Sequence, residues 1–275
     1  MSLHNQTRSI LKKYQILPRR KRGQNFLINE NLIKKIVSLA ELKKSDQILE
    51  IGAGVGNLTK EIAKNVKQVF SVEIDKTFCQ ILAQELKDVK NVKIIQNDIR
   101  DFEVTEVGLK NYKIVSNIPF NITGLILKKF LTALIKPKSM LLIIQKEVAE
   151  RIVSLPPQMS RLSIMVQFYA EAKIISLVSK NNFWPKPKID SAILFLKIKK
   201  PILEKRREEE FFSLIRAGFS SPRKYLLNNL FKNDMIKDKE EGGKFFKKLN
   251  LDFKIRAQEL SLEDWIGLIK LKNGK

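Results

Sequence analysis

Cysteine and histidine are all but missing from this 275-residue chain, which holds one of each, Cys79 and His4. A single cysteine rules out an internal disulfide and suits a reducing compartment, so the cytoplasm is expected. One histidine and one cysteine are too few for a His/Cys zinc site, and no metal is expected. Ser-His-Asp and Cys-His chemistry would both have to use His4, which sits in an N-terminal tail, and both are set aside. Acidic residues are missing from the front of the chain, where none precedes Glu30. No uninterrupted apolar run approaches the ~20 residues of a membrane helix, and the N-terminus has no signal-peptide core. Its basic, acid-free start resembles a transit peptide, but the first motif begins at Gly23 and leaves little chain to remove. Carboxylates, amides, backbone groups and a borrowed cofactor remain to carry any chemistry.

The chain has positive charge in excess. Lysine and arginine number 52 against 29 acids, a formal charge of +23. Such a surface favours a polyanion, with nucleic acid ahead of an anionic membrane; the plain alternative is a solvated basic surface. Hydrophobic residues make up 44%, enough for a real core. The length fits one large domain plus a small one.

Short apolar runs alternate with helical patterns. Residues 29–42 read as a helix, with Leu32, Ile33, Ile36, Val37 and Ala40 at helical spacing. Strands are predicted at 47–51, 68–72, 92–96, 113–116 and 140–144, and helices at 58–65, 78–86, 125–135 and 161–169. Repeated strand–helix units imply a parallel sheet covered on both faces, a doubly wound α/β fold. Two further β-type runs, 173–178 and 192–198, would close the sheet as a hairpin-like pair. Lys199-Lys200-Pro201 marks a break, after which 204–219 and 223–231 read as helices. The expected division is a catalytic domain over 1–198 and a basic helical domain over 201–275.

Two motifs carry chemistry. Glu50-Ile51-Gly52-Ala53-Gly54-Val55-Gly56 closes the first main strand and opens a helix. Its glycines let the backbone turn tightly and approach a ligand, with Gly52 and Gly54 the nearest candidates. Glu73 ends the next strand about 20 residues after the loop, where an acid grips ribose hydroxyls. That spacing leaves a dinucleotide and S-adenosylmethionine both open. Asp98, ending the third strand, could accept a hydrogen bond from an adenine amine or cap a helix. The second motif is Ser116-Asn117-Ile118-Pro119-Phe120-Asn121-Ile122. An aromatic amine is a poor nucleophile because its lone pair is delocalised into the ring. Acceptors that draw on its N–H bonds, such as the Asn117 side-chain oxygen and a carbonyl of Ile118 or Pro119, localise that pair on nitrogen. Pro119 stiffens the loop and Phe120 offers a stacking face, so positioning carries the catalysis.

With these motifs the sequence resembles the ribosomal RNA adenine dimethyltransferases. The resemblance runs from Gly23 to at least Leu230 and begins at Gly23-Gln24-Asn25-Phe26-Leu27, similar to the family's N-terminal cofactor motif. It implies a Rossmann-like, class I S-adenosylmethionine-dependent methyltransferase domain with a small C-terminal helical domain. By resemblance, Asn25 and Leu27 touch the cofactor, Gly52 lies beneath it, Glu73 holds the ribose, Asp98 holds the adenine, and Asn117 straddles cofactor and target base. Phe183–Ser191 is similar to the family's late loop and is expected to form a rigid turn bordering the target-base pocket. Arg216-Ala217-Gly218-Phe219-Ser220, with Arg223, Lys224 and Asn228-Asn229-Leu230, resembles the helical domain of the small-subunit branch. RNA contacts are expected at Arg19, Arg20, Lys21, Arg22, Arg216, Arg223 and Lys224, although a solvated helix face would also explain the last three. The expected substrate is small-subunit ribosomal RNA in an assembling subunit, acted on by a monomer. Two features depart from that branch: Phe120 stands where Tyr is usual, and Thr123-Gly124 where small residues and Pro are usual. Phenylalanine there is familiar from large-subunit resistance methyltransferases. A binding protein of the same fold that has lost turnover, like the related mitochondrial transcription factors, is disfavoured by the intact Asn117–Phe120 loop.

Overall fold

The computed structural model describes residues 1–18 and 23–274; the expected basic cluster Arg19–Arg22 lies outside the described residues. The chain packs as two compact units, one of Met1–Ala149 with Lys173–Ile198, the other of Glu150–Ala172 with the chain from Lys199 on. The second unit therefore takes in a stretch, 150–172, that the sequence pattern assigned to the catalytic domain.

The elements run α1 (Leu3–Lys13), β1 (Phe26–Leu27), α2 (Glu30–Leu39), β2 (Gln47–Ile51), α3 (Asn57–Ala63), β3 (Gln68–Glu73), α4 (Lys76–Glu85), β4 (Val92–Gln96), β5 (Tyr112–Asn117), α5 (Thr123–Thr132), β6 (Ser139–Gln145), α6 (Lys146–Val153), α7 (Arg161–Tyr169), β7 (Ala170–Val178), β8 (Phe183–Trp184) and β9 (Ser191–Ile198). Four more helices follow: α8 (Lys205–Gly218), α9 (Leu226–Lys232), α10 (Lys239–Lys248) and α11 (Leu262–Lys272).

Seven strands form one sheet in the order β4-β3-β2-β5-β6-β9-β7. Neighbours from β4 to β6 are parallel, and β9 runs antiparallel to β6. The two late β-type runs are neighbours as expected, with β9 inserted between β6 and β7. Strands buried on both faces read as apolar runs, because alternate side chains meet helices on opposite sides. Ile48, Val69, Val115, Leu141 and Ile143 pack with Ile33, Ile36 and Val37 of α2 and with Leu58 and Ile62 of α3. The intervening Leu49, Ile114, Met140, Leu142 and Ile144 are equally buried. From β2 the chain steps outward to β3 and β4, then returns to β5 on the other side of β2. This reversal opens a crevice at the carboxyl ends of β2 and β5, where open α/β sheets bind ligands.

The N-terminal tail is a correction. Residues Leu3–Lys13, His4 among them, form α1, whose N-cap Ser2 accepts from the Asn5 N–H. Its inner face buries Thr7 and Leu11, and Leu11 packs with Phe26, Val55, Phe78 and Ile81. A polar Thr7 in the middle of that face breaks the apolar stripe by which a helix is recognised.

In the second unit, Phe168 of α7 stacks on Phe211 of α8 at 4.8 Å between ring centroids. Fully buried Trp265 of α11 stacks on Phe219 at 5.9 Å. Gly218 allows this: a Cβ there would sit 2.3 Å from the Trp265 ring. Asn229, buried in α9, donates from Nδ2 to the carbonyls of Gly218 at 2.7 Å and Ser221 at 3.0 Å. It thereby fixes the turn that carries Arg223 and Lys224.

Candidate active site

A cavity of about 540 Å³ opens at the crevice. Its wall includes Asn25, Leu27, Gly52, Gly54, Glu73, Asp98, Asn117 and Pro119, eight residues singled out from the sequence, from both sides of the switch point. Phe120 is partly exposed between Pro119 and Asn121, which line the cavity, but is not itself part of the wall.

Each position follows from local structure. Gly52 and Gly54 take φ of 71° and 57°, left-handed values that a side chain resists. A Cβ on Gly54 would stand 2.8 Å from the Phe26 ring, so that loop position needs glycine twice over. The turn aims the Gly54 N–H at Glu73 Oε2 (3.1 Å), while the Asp75 N–H donates to Oε1 (3.0 Å). Two backbone donors thus hold the Glu73 carboxylate at the end of β3. Burial nevertheless raises its pKa, and those two hydrogen bonds only partly offset the effect.

Asp98 follows β4 and is held by one neighbour. The Arg100 N–H donates to Oδ1 at 2.8 Å, and the Arg100 guanidinium donates to Oδ2 through Nε at 2.9 Å and an Nη at 2.6 Å. These hydrogen bonds keep its pKa low. Asp98 closes a local turn, whereas the sequence left helix capping open. Asn117 is the last residue of β5, and its Nδ2 donates to the Asn25 carbonyl at 2.8 Å. That bond sets the amide's orientation and leaves Oδ1 to act as an acceptor.

Phe183–Ser191, expected beside the target base, is not part of the wall of this cavity. Its β8 pairs antiparallel with β1, Phe26 opposite Trp184 and Leu27 opposite Phe183, and Trp184 packs against the cluster of Phe26 and Phe78. The loop supports the cofactor motif from behind. Arg216, Arg223 and Lys224 are exposed on the second unit, and Arg216 donates to Ser213 Oγ at 2.6 Å.

Arg100, Asn57 and Glu50 are among the wall residues to which the sequence assigned no role. Arg100 stands two positions after Asp98, a spacing that could have flagged the pair. Asn57 follows the glycine loop directly. Glu50 sits in the motif itself, and an acid within an apolar strand was the available signal. It is fully buried, accepts from Ser71 Oγ at 2.9 Å, and has its pKa raised to about 7 by burial.

The sequence pattern described as ribosomal RNA adenine dimethylase matches residues 17–273. The chain belongs to that family. Its dimethylase relatives include the ribosomal RNA small subunit methyltransferase A of Clostridium botulinum, 37% identical over 94% of this chain and 95% of that protein. The protein of the same name from Clostridioides difficile is 34% identical over 100% and 98%. A solved 23S rRNA methyltransferase, ErmE, superposes with a TM-score of 0.76 at 26% identity, over 90% of this chain and 100% of that one. A dimethyladenosine transferase from Plasmodium falciparum has the same fold, at TM-score 0.76 and 24% identity over 89% and 96%. The dimethylase chain is thus a methyltransferase with a Rossmann-like fold, and it requires a methyl donor. No described helix is long and apolar enough to cross a membrane.

Proposed function

We propose that this protein transfers methyl groups from S-adenosylmethionine to the exocyclic amine of adenine in small-subunit ribosomal RNA. The full reading is two methyl groups on each of two adjacent adenosines near the RNA 3′ end, added by a monomer in the cytoplasm to an assembling subunit. The observation that carries it is Asn117, its amide oriented by the Asn25 carbonyl, in the wall of a cavity shared with Gly52, Gly54, Glu73 and Asp98.

The residues present fit the donor. The cavity lies within the 300–1,000 Å³ range typical of small-molecule sites. Glu73 would hold the ribose hydroxyls and Asp98 the adenine amine, while Gly52 and Gly54 let the backbone approach the amino-acid part closely. When bound, S-adenosylmethionine supplies an electrophilic methyl group. The protein's part is to present the target amine. Asn117 Oδ1 and a carbonyl of Ile118 or Pro119 accept its N–H bonds and localise the nitrogen lone pair. Phe120 offers a face for the base, a contact worth about 1–3 kcal/mol. No strong base is required, because the methylated ammonium is acidic enough to lose its proton to water. RNA would be held by Arg216, Arg223, Lys224 and the Arg19–Arg22 cluster.

A second reading, methylation of adenine in large-subunit RNA, is favoured by Phe120 and by the fit to ErmE. Tritiated methyl transfer to purified small and large subunits, with the modified base mapped, separates the two. Dimethyladenine in small subunits supports the proposal. Label confined to large subunits promotes the second reading, and label on another base refutes both.

A further inference from the structure

Three parts of the chain meet at Asn57. It is the first residue of α3, directly after the glycine loop, and its side chain lines the cavity. Its Nδ2 donates twice, to the Leu27 carbonyl at 2.8 Å and to Thr7 Oγ1 at 2.9 Å. One amide nitrogen thus ties the glycine loop to β1 and to α1. The Leu27 strand is itself held by β8. Thr7 is fully buried on the inner face of α1. Its helical neighbour Leu11 packs on Phe26, Val55 and Phe78, all three of which line the cavity. A buried hydroxyl is costly unless hydrogen-bonded, and a valine of the same shape would fill the space without that cost. What the hydroxyl adds is a directional acceptor.

We propose that Thr7, acting through Asn57, is a positioning residue for the cofactor site, which makes α1 a working part of that site. It sets the spacing between the glycine loop and the Leu27 backbone, the two edges between which the cofactor would lie. Thr7 itself touches no substrate. Without its hydroxyl, one N–H of Asn57 loses its acceptor and the amide is free to turn away from the Leu27 carbonyl. This inference rests on the reading of the cavity as the S-adenosylmethionine site.

The test compares Thr7→Val, Thr7→Ser, Asn57→Ala and the Thr7→Val/Asn57→Ala double variant in the full chain. Calorimetry gives the Kd for S-adenosylmethionine, thermal unfolding the Tm, and methyl transfer the KM for small subunits. Thr7→Val should weaken cofactor binding about three- to tenfold, the range expected for one lost hydrogen bond. Thr7→Ser, which restores the hydroxyl, should stay within about twofold of wild type. Adding Thr7→Val to Asn57→Ala should cost nothing further, since both act through one contact. The KM for RNA should not move. Wild-type affinity in Thr7→Val, an equal loss in Thr7→Ser, or full additivity in the double variant would each overturn the proposal. Wild-type protein that fails to bind S-adenosylmethionine would instead refute the cofactor assignment.

Discussion

Two carboxyl groups, Glu50 and Glu73, share the wall of one cavity, and burial acts on both. Glu73 has two backbone donors to hold its charge, whereas Glu50 has the Thr59 and Ser71 hydroxyls, which offset its burial only in part, and the charge of Glu73 nearby. Glu50 therefore keeps its proton to about pH 7, against an ordinary value of 4.5. A carboxyl whose folded pKa is raised favours the fold fully below its unfolded pKa, and that contribution is lost as pH rises through the folded value. Wild-type stability should accordingly fall between pH 5 and pH 8, by an amount on the order of 3 kcal/mol from this group. Glu50→Gln, neutral throughout, should flatten that slope in urea titrations at the two pH values. An unchanged slope would show that Glu50 is already ionised at pH 5. Asn117 makes a different claim on the chemistry. Asn117→Ala should keep the fold yet lose methyl transfer by 10²-fold or more, as positioning losses do. Phe120→Tyr keeps the stacking face and should retain activity. Phe120→Ala should raise the RNA KM by roughly tenfold, and steady-state kinetics that match wild type would show that the base stacks elsewhere.

The Gly218 turn shows how a motif can serve packing and recognition together. Gly218→Ala places a methyl group against Trp265 and should cost about 1–3 kcal/mol by chemical denaturation, the usual penalty for overpacking a core. Arg223 and Lys224, on the turn held by Asn229, should leave stability nearly unchanged when replaced by alanine. Legibility in the sequence varied in the same way. The strands β2, β3, β5 and β6 were plain because burial on both faces makes each a short apolar run bounded by polar residues, while the edge strand β4 was marked by Val92, Ile94 and Ile95 although none of its residues is fully buried. The glycine loop, Glu73, Asp98 and Asn117 could be read because the site sits at strand ends whose order a repeated strand–helix pattern dictates. α1 was not legible, since Thr7 interrupts its buried face. Nor was β1–β8, a two-residue ladder that joins segments 153 positions apart in its flanking Asn29–Asn182 contact. The roles of Glu50 and Asn57 needed coordinates, because each is defined by partners from other elements: Ser71 for one, Thr7 and Leu27 for the other.

The net charge of +23 governs how the whole molecule meets its substrate. Affinity for ribosomal RNA should fall steeply with salt as phosphate neutralisation releases counterions. Replacing Arg223 and Lys224 by alanine should reduce the slope of log K against log salt by about two. A slope equal to wild type in filter-binding assays would return both residues to the solvated-face reading. Point substitution suits this question better than truncation at residue 200, which would strip Phe168 of Phe211 and leave 150–172 without its packing partners. The pairing of β1 with β8 also bears on how the molecule is made. A chain growing at 5–20 residues per second exposes Phe26 and Leu27 on the order of 10–30 s before Phe183 and Trp184 exist. Through that interval the wall that carries Asn25 and Leu27 has no strand to lean on. Nascent chains stalled short of Trp184 should therefore capture S-adenosylmethionine poorly, and those extended past β9 should capture it well. A methyltransferase for ribosomal RNA would then acquire its donor only after most of it has left the ribosome that is building it.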